Sequence, residues 1–251
     1  MIVNGDADLR GLQRIGEICG ETLKYMLEIA EPGMTTKQLD DLGAAFLQKH
    51  GATSAPITAY DYPGWTCISI NEEAAHGIPG DRVIQEGDML NVDVSAVLEG
   101  YWGDTGASKL VGEGRRRHQR LLADTKRALY AGIGQAKVGK PINAIGKAVE
   151  RIARKERYRV IRQLSGHGVG RHIHEDPQVP NFYTRGASQK LIDGLVITIE
   201  PFFNLGRGVI ITDSDGWTLR TPDRSISAQF EHTVIINGND PILITKVAGG
   251  H

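Results

Sequence analysis

Two segments of the chain, which begin at Pro32 and Val138, repeat apolar residues at the spacing of an amphipathic helix. The apolar positions are Leu39, Leu42 and Phe46 in the first segment and Ile145, Val149 and Ile152 in the second. Each segment is entered through a glycine turn and is followed by residues typical of strands. The pattern therefore predicts two helices, each leading into a strand-rich region.

The two helix-to-strand transitions lie at a nearly constant separation. Gly33 and Gly139 mark the helix entrances and are 106 residues apart, and the aligned strand residues Asp93 and Glu200 are 107 apart. Chance similarity of two such transitions is the alternative. An internal duplication explains the recurrent offset and is favoured.

A duplication favours a single α+β domain over two independent domains. We expect this domain to cover residues 1–251, with a pseudo-repeat of roughly residues 1–120 and 121–251. A site between the two sheets would then take equivalent acids from each half.

Carboxylates interrupt three apolar segments that otherwise have the pattern of strands. Asp and Glu are unfavourable strand residues, so each of these positions needs a physical reason. The alternation of side chains along a strand puts each acid on a face with small or polar neighbours. The predicted faces are Asn91, Asp93 and Ser95; Val196, Thr198 and Glu200; and Gln229, Glu231 and Thr233.

A two-residue turn at residues 99–100 would add a fourth acid. Such a hairpin pairs Leu98 with Tyr101, which makes Asp93 and Asp104 diagonal neighbours, roughly 7–8 Å apart. Two carboxylates at that separation can hold one cation, and without a cation one of them would be driven to bind a proton. A solvated sheet face is the alternative for a single acid, but four acids in this pattern favour a metal site.

Charge limits the classes of partner. The 251 residues include 29 Lys and Arg and 30 Asp and Glu, for a formal net charge of −1. No overall field would draw the molecule to DNA or to an anionic membrane, so we expect neither as a partner. The densest basic cluster, residues 115–117, could contact RNA, but a solvated helix face explains it and is favoured.

Cysteine content and the N-terminal segment bear on the compartment. Cys19 and Cys67 are too few for a disulfide framework. No apolar run approaches the length of a membrane span, and residues 1–10 lack the basic and apolar regions of a signal peptide. We expect a cytoplasmic protein.

Three of the eight histidines lie in contexts that leave room for function. His167 lies among small residues in GHGVG, which allow its ring to face a metal, while His76 in AHGIP and His174 in HEDP lie in predicted turns. Taken alone, each would more often be structural than catalytic. Polar or terminal contexts predict surface positions for His50, His118 and His251.

Seven short motifs resemble those of type I methionine aminopeptidases, in the same order and over nearly the whole chain. They are NEEAAHGIP, NVDVS, GDT, GHGVG, HEDPQVP, TIEP and QFEHT. The resemblance implies a pita-bread fold, in which two pseudo-symmetric αβ halves surround a central, mainly antiparallel sheet. It also implies hydrolytic removal of the N-terminal methionine from nascent proteins and peptides, preferably when the second residue is small.

The resemblance implies a site for two divalent cations and a role for each residue in it. The implied metal ligands are Asp93, Asp104, His167, Glu200 and Glu231. Asp104 and Glu231 would bridge the cations, which could be Co, Mn, Fe, Zn or Ni. Glu200 would also move a proton of the attacking water, His174 would stabilise the developing oxyanion, and His76 would contact the scissile amide.

Further ligands and partners are implied by the same resemblance. Backbone oxygens of Asn71, Glu73 and Ser227 would hold one monovalent cation. The substrates would be N-terminal peptides of nascent proteins, which places the enzyme near the ribosome, and the chain would act as a monomer.

The implied substrate pocket departs from the family pattern. Its residues would be His76, His174, Tyr62, Cys67, Ile173 and Trp217. The departures are Ile173 for a usual Phe, Pro56 and Ala75 for a frequent Cys, and Ala59 and Tyr60 in a loop usually richer in Tyr and His. A paralogous aminopeptidase of the same fold with relaxed or altered first-residue specificity is therefore the first alternative.

Two other classes remain as alternatives. His174, Asp176 and His232 form an H-x-D…H pattern like the facial triad of non-haem iron oxygenases, although that fold would be nearly all β. A non-catalytic binding protein on the aminopeptidase fold need not keep the metal ligands, and the intact set counts against it.

Overall fold

Residues 1–250 are described by a computed structural model and form five helices and 15 strands. The helices are α1 Asp6–Ile29, α2 Thr36–Lys49, α3 Ala55–Tyr60, α4 Arg116–Ile133 and α5 Asn143–Glu156. The strands that precede α4 are β1 Thr53–Ser54, β2 Cys67–Ile70, β3 Glu73–Ala75, β4 Met89–Leu98 and β5 Tyr101–Leu110. The strands that follow α5 are β6 Arg159–Val160, β7 Ser165–Gly168, β8 Glu175–Pro180, β9 Val196–Ile199, β10 Phe202–Asn204, β11 Ile211–Thr212, β12 Leu219–Arg220, β13 Ser227–Gln229, β14 His232–Ile235 and β15 Ile242–Leu243. The surface position predicted for His251 lies outside the described residues.

Two larger antiparallel sheets form the centre of the fold. In the first, β4 pairs with β5 along its whole length and also with β2 and β1. The second has the order β15-β14-β9-β7-β8. Two three-stranded sheets, β13-β10-β6 and β11-β12-β3, complete the strands.

The two larger sheets meet at a seam between β5 and the start of β14. The backbone N–H of Asp104 donates to the hydroxyl of Thr233 at 3.2 Å, and this hydroxyl donates to the carbonyl of Asp104 at 2.6 Å. The hydroxyl of Thr105 donates to the carbonyl of Glu231 at 2.8 Å. The seam therefore brings an acid of the first sheet beside an acid that precedes a strand of the second.

The hairpin of β4 and β5 has the predicted register. Leu98 faces Tyr101, and Ser95 faces Asp104. Both turn residues, Glu99 and Gly100, have positive φ angles, 51° and 77°, as a two-residue turn of type I′ requires. The sequence-based pairing that makes Asp93 and Asp104 diagonal neighbours is confirmed.

The two halves are pseudo-symmetric. Gly33, which leads into α2, has a φ of 94° and donates its N–H to the carbonyl of Ile84 at 2.9 Å. Gly139, which leads into α5, has a φ of 79° and donates to the carbonyl of Leu191 at 2.8 Å. The two donors are 106 residues apart and the two acceptors are 107 apart, which matches the offset seen in the sequence. The positive φ angles explain why glycine occurs at both turns.

The predicted helix in the first half is present, but its buried face differs from the expectation. Leu39 is buried, whereas Leu42 is 38% exposed and Phe46 is half-buried, so the predicted apolar face is wrong at Leu42. The buried face passes through Gly43, where an added Cβ would lie 2.5 Å from the sulfur of Met26. Close packing of α2 on α1 at this glycine sets the rotation of the helix.

The predicted apolar face of the second helix is confirmed, because Ile145, Val149 and Ile152 are buried in α5. The basic residues 115–117 are exposed at the start of α4, as expected for a solvated helix face. The long helix α1 was not predicted; its buried residues include Leu12, Ile15, Cys19, Leu23 and Met26. Across residues 1–250, no helix combines the length and apolar character of a membrane span.

A capping box at the start of α2 generates a prediction about stability. The Thr35 side chain accepts the N–H of Gln38 at 3.1 Å, and the Gln38 side chain accepts the N–H of Thr35 at 2.8 Å. Thr35→Ala removes the first acceptor and is expected to lower the free energy of unfolding by about 1 kcal/mol in urea denaturation. Thr35→Ser keeps the acceptor and should lose less; equal losses in both variants would contradict the capping role.

Candidate metal centre and substrate pocket

A pocket of about 710 Å³ opens at the seam between the two larger sheets. The residues predicted as divalent-metal ligands, catalytic groups and substrate-pocket walls all line it, whereas Asn71, Glu73 and Ser227, predicted for a monovalent cation, do not. The predicted residues that line it are Tyr62, Cys67, His76, Asp93, Asp104, His167, Ile173, His174, Glu200, Trp217 and Glu231. The fold therefore brings together residues that lie as much as 169 positions apart in the sequence.

The four acids reach the pocket from two kinds of backbone position. Asp93 and Asp104 lie within β4 and β5, as predicted. Glu200 and Glu231 were expected inside strands, and this expectation is wrong. Glu200 lies between β9 and β10, and Glu231 lies between β13 and β14. Each of these glutamates stands where the chain leaves one sheet for another, which frees its side chain to enter the pocket.

Three side chains offer ligand atoms close to one point. The candidate ligand atoms of Asp104, His167 and Glu231 all lie within 4.8 Å of one another. Nε2 of His167 lies 3.6 Å from Oδ2 of Asp104 and 3.5 Å from Oε1 of Glu200. The arrangement surrounds a space of the size that a divalent cation needs.

The protonation of His167 is fixed by its other ring nitrogen. Nδ1 lies 2.9 Å from the carbonyl oxygen of Gly168, which can only accept, so the proton lies on Nδ1. The lone pair of Nε2 therefore faces the carboxylates. Burial lowers the pKa of His167 to about 3, so the imidazole is neutral, as a metal ligand must be.

A buried amide orients two of the carboxylates. Nε2 of Gln229 donates to Glu231 at 2.9 Å and approaches Asp93 at 3.4 Å. Nδ2 of Asn91 donates to Oε1 of Gln229 at 2.7 Å, and this bond orients the amide so that its Nε2 faces the acids. Sequence reasoning placed Asn91 and Gln229 only as polar neighbours on strand faces; it did not find their role in orienting the acids.

Thr198 orients the remaining glutamate. Its hydroxyl donates to Oε1 of Glu200 at 3.0 Å and accepts the backbone N–H of His167 at 3.0 Å. One hydroxyl therefore fixes both the carboxylate and the strand that carries the imidazole. Such contacts to metal ligands hold them in position before a cation binds.

Burial raises the pKa of all four carboxyl groups. The pKa of Asp93 is raised to about 6, and those of Asp104, Glu200 and Glu231 are raised well above their ordinary values. Burial is the largest cause in each case, and for the last three the negative charge of neighbouring acids adds to it. Four negative charges at this point thus require a compensating positive charge or bound protons.

The donor set fits divalent cations. Oδ1 of Asp104 is buried and has no hydrogen-bond partner within residues 1–250, although it is an acceptor. Carboxylate oxygens together with one neutral imidazole nitrogen are a ligand set that divalent first-row metals accept. The residues present therefore fit the metal that the sequence predicts.

Two further histidines border the centre. The rings of His174 and His167 lie 4.3 Å apart at 64°. Burial lowers the pKa of His174 and of His76, so both rings are neutral near pH 7 and each carries one N–H donor. His76 has a φ of 54°, which turns the chain sharply after β3 and brings its ring to the pocket.

The apolar side of the pocket is held by contacts among its own side chains. The rings of Tyr62 and Trp217 meet edge to face at 5.2 Å and 87°, and the Tyr62 hydroxyl donates to the carbonyl of Gly77 at 2.7 Å. Cys67 is a buried free thiol whose pKa is raised by burial and by Asp93. This wall suits an unbranched apolar side chain.

The facial triad predicted as an alternative is not assembled. His174 and Asp176 line the pocket, but His232 does not. Nδ1 of His232 lies 2.9 Å from the hydroxyl of Thr245, in the buried layer on the opposite side of β14. Because side chains alternate along a strand, His232 points away from the pocket that Glu231 enters.

Comparison with known proteins adds an independent observation. The sequence pattern of metallopeptidase family M24 matches residues 10–238. Methionine aminopeptidase 2 of Bacillus subtilis (strain 168) is 45% identical over 249 residues, which cover 98% of this chain and 100% of that protein. The crystal structures of methionine aminopeptidases from Rickettsia prowazekii and Thermotoga maritima align with TM-scores of 0.93 and 0.94, at 35% and 33% identity, over 98% of this chain and 100% of theirs. The predicted α+β pita-bread fold is confirmed.

The raised pKa values predict a dependence of stability on pH. A carboxyl whose pKa is higher in the folded state binds more protons there, so its contribution to stability is lost as pH rises through the folded pKa. In chelator, Asp104→Asn should be more stable than wild type, and the difference in the free energy of unfolding should be larger at pH 8 than at pH 5, because the cost accumulates above the unfolded-state pKa of the carboxyl. Comparison of the two proteins cancels the titration of histidines that lie away from Asp104, and His167, 3.6 Å from it, is neutral at both pH values because burial lowers its pKa to about 3.

Urea denaturation at the two pH values measures this difference. Asp81→Asn, at an exposed position, is the control and should not change its stability relative to wild type between pH 5 and 8. A metal-free Asp104→Asn protein that is less stable than wild type at pH 8 would refute the repulsion among the four acids.

Proposed function

The chain belongs to metallopeptidase family M24, among its methionine aminopeptidases, and from this premise we propose that it binds two divalent cations at the seam. The proposed ligands are Asp93, Asp104, His167, Glu200 and Glu231. The observation that carries the proposal is their convergence, in which the lone pair of His167 faces buried carboxylates. The enzyme uses divalent metal to hydrolyse the bond after an N-terminal methionine.

Charge supports two cations rather than one. Four ionised carboxylates carry four negative charges, and two divalent cations balance them, whereas one cation leaves a buried excess. The negative charges of Asp93 and Glu200 act on both Asp104 and Glu231, which supports the proposal that these two residues would serve both cations. Co, Mn, Fe, Zn and Ni all suit such mixed oxygen and nitrogen ligands.

A monovalent cation is proposed near the start of β3. The backbone oxygen of Asn71 accepts the N–H of Ser227 at 3.2 Å, which brings two of the three proposed carbonyl donors together. Glu73 is the third. A cation there would tie β3 to β13 beside the pocket.

The chemistry follows from the groups around the proposed cations. When bound, divalent cations activate a water molecule and polarise the scissile carbonyl. The carboxylate of Glu200, held by Thr198, takes up the proton of the attacking water. The N–H of His174 donates to the carbonyl oxygen as negative charge develops on it, and His76 contacts the nitrogen of the leaving peptide.

The apolar wall is proposed to hold the first side chain of the substrate. Tyr62, Cys67 and Trp217 supply the surfaces against which methionine packs, and Ile173 takes the place of an aromatic residue. His76 and the metal centre crowd the next position, so the second substrate residue is small. The alternative of a paralogous aminopeptidase with relaxed or altered first-residue specificity would use this same pocket.

The physiological substrates are proposed to be nascent proteins in the cytoplasm, near the ribosome. Both cysteines are free, as in a reducing compartment. Proximity to the ribosome is implied by the resemblance alone, because a solvated helix face explains the basic residues 115–117. The chain is proposed to act as a monomer.

Metal removal tests the proposed function. Dialysis against a chelator should abolish hydrolysis of a Met-Ala peptide, and Mn²⁺, Co²⁺ or Fe²⁺ should restore it, because the activated water depends on the cations. Titration calorimetry should find two binding sites per chain. Activity that persists in a protein shown by elemental analysis to be metal-free would reject the mechanism.

The two bordering histidines are predicted to act on catalysis and not on metal binding. His174→Ala should lower kcat roughly 10²- to 10³-fold, the usual effect of removing a donor to an oxyanion, with unchanged metal content. His76→Ala should also lower kcat and keep the metals. His172→Ala, at an exposed neighbour, is the control. Loss of metal from either variant would show that its role is misassigned.

Ile173 generates a prediction about specificity. Without an aromatic wall, the preference for methionine should be softened, so that Met-Ala remains the best substrate while Leu-Ala is cleaved measurably. Ile173→Phe restores a sulfur–aromatic contact and should raise the ratio of kcat/KM for Met-Ala to that for Leu-Ala roughly two- to tenfold. Ile173→Leu is the control without a ring; a wild-type preference for Leu-Ala or Ala-Ala over Met-Ala would contradict the assignment.

A further inference from the structure

Tyr60 and His174 form a contact between the two halves of the chain at the rim of the pocket. The hydroxyl oxygen of Tyr60 lies 2.5 Å from Nδ1 of His174, and the two rings lie 5.6 Å apart at 38°. Tyr60 is the last residue of α3, and His174 directly precedes β8. Tyr60 belongs to the loop in which this chain departs from the usual pattern of its family.

The ring of His174 is oriented by this contact. The chain just before His174 is held by Glu175, whose Oε1 accepts the N–H groups of Arg171 and His172 at 2.6 and 2.8 Å. Within residues 1–250, the ring of His174 has a hydrogen bond only with Tyr60, and it meets the ring of His167 in a T-shaped contact. Rotation of the ring is therefore opposed chiefly by the phenol.

The phenol is presented by a short, well-anchored helix. The side chain of Ser54 accepts the N–H of Ile57 at 3.3 Å and donates to the carbonyl of Trp65 at 2.8 Å. The helix ends at Asp61, whose φ of 55° turns the chain away directly after Tyr60. Although Tyr60 is 46% exposed, its backbone is held at both ends of α3.

The contact has a chemical consequence for the imidazole. A neutral histidine has one N–H and one acceptor nitrogen, and the partner of one nitrogen decides the state of the other. A phenol with an ordinary pKa near 10 keeps its proton at neutral pH and can donate it. If Nδ1 accepts that proton in a hydrogen bond, the ring proton must lie on Nε2.

We propose that the Tyr60 hydroxyl donates to Nδ1 of His174 and thereby holds the ring in the tautomer whose Nε2–H can donate to the scissile carbonyl. Tyr60 is then a positioning residue that acts through His174. The inference rests on the role given to His174 in the proposed function, because only a correctly placed N–H stabilises the developing oxyanion.

Steady-state kinetics of Tyr60→Phe test the proposal, since this change removes the hydroxyl and keeps the ring. On Met-Ala peptides kcat should fall about tenfold, as is usual for loss of a group that orients a reacting residue, with KM within twofold of wild type. Tyr183→Phe removes the hydroxyl of another exposed tyrosine and should leave kcat unchanged. An unchanged kcat in Tyr60→Phe overturns the proposal.

A double-mutant cycle separates this proposal from the role of His174 itself. In the His174→Ala background, Tyr60→Phe should cause no further loss of kcat, whereas a merely structural effect would persist there. If His174→Ala keeps its kcat, the proposed function fails at that residue. If His174→Ala loses kcat and Tyr60→Phe does not, only the role of Tyr60 fails.

Nitrogen NMR of the metal-free protein gives a reading independent of activity. With ¹⁵N-labelled histidine, His174 should be protonated at Nε2 in the wild type and should become a mixture of tautomers in Tyr60→Phe. A wild-type ring protonated at Nδ1, or an unchanged tautomer in the variant, overturns the proposal. If the variant folds poorly, the wild-type spectrum alone tests the proposal, because it shows which ring nitrogen of His174 carries the proton.

Discussion

The mutual repulsion of four buried carboxylates is the constraint on which the rest of this structure depends. Burial at the seam raises the pKa values of Asp93, Asp104, Glu200 and Glu231, and for the last three the negative charge of neighbouring acids adds to it. Two divalent cations would remove the repulsion and use the same oxygens as ligands. The groups that cost stability in the metal-free protein are therefore those that create the binding energy of the holoenzyme.

Hydrogen bonds from surrounding polar groups partly offset this repulsion and fix the orientation of the acids and of His167. Gln229 donates to one acid and approaches a second, Thr198 donates to a third, and the carbonyl of Gly168 fixes the tautomer of His167. The seam hydrogen bonds of Thr233 and Thr105 hold the two sheets in register, so an acid from each half faces the same point.

The sequence predicted those parts of the fold and site that depend on local geometry. Period-two alternation and a two-residue turn are enough to make Asp93 and Asp104 neighbours, and the structure has that register. Strand patterns also identified Glu200 and Glu231, and small neighbours identified His167; the resemblance added their ligand roles, and all three line the pocket. The metal-ligand and catalytic roles of these residues, and the single-domain organisation, remain predictions.

The features that escaped prediction depend on contacts between distant segments. The exposure of Leu42 follows from the close approach of α1 at Gly43, which no periodicity within α2 could reveal. Glu200 and Glu231 have strand-like neighbours, but passage of the chain between sheets interrupts both strands. The role of Gln229 needs Asn91 from the other half, and that of Tyr60 needs His174, so neither has a local signal.

The central claim is that the four carboxylates and His167 hold two cations, with Asp104 and Glu231 between them. Anomalous X-ray diffraction from crystals grown with Mn²⁺ tests it most directly, because each bound ion gives its own peak. The account predicts two peaks roughly 3.5–4 Å apart, each in contact with an oxygen of both bridging residues. A single fully occupied peak, or ions that lie away from these side chains, would contradict it.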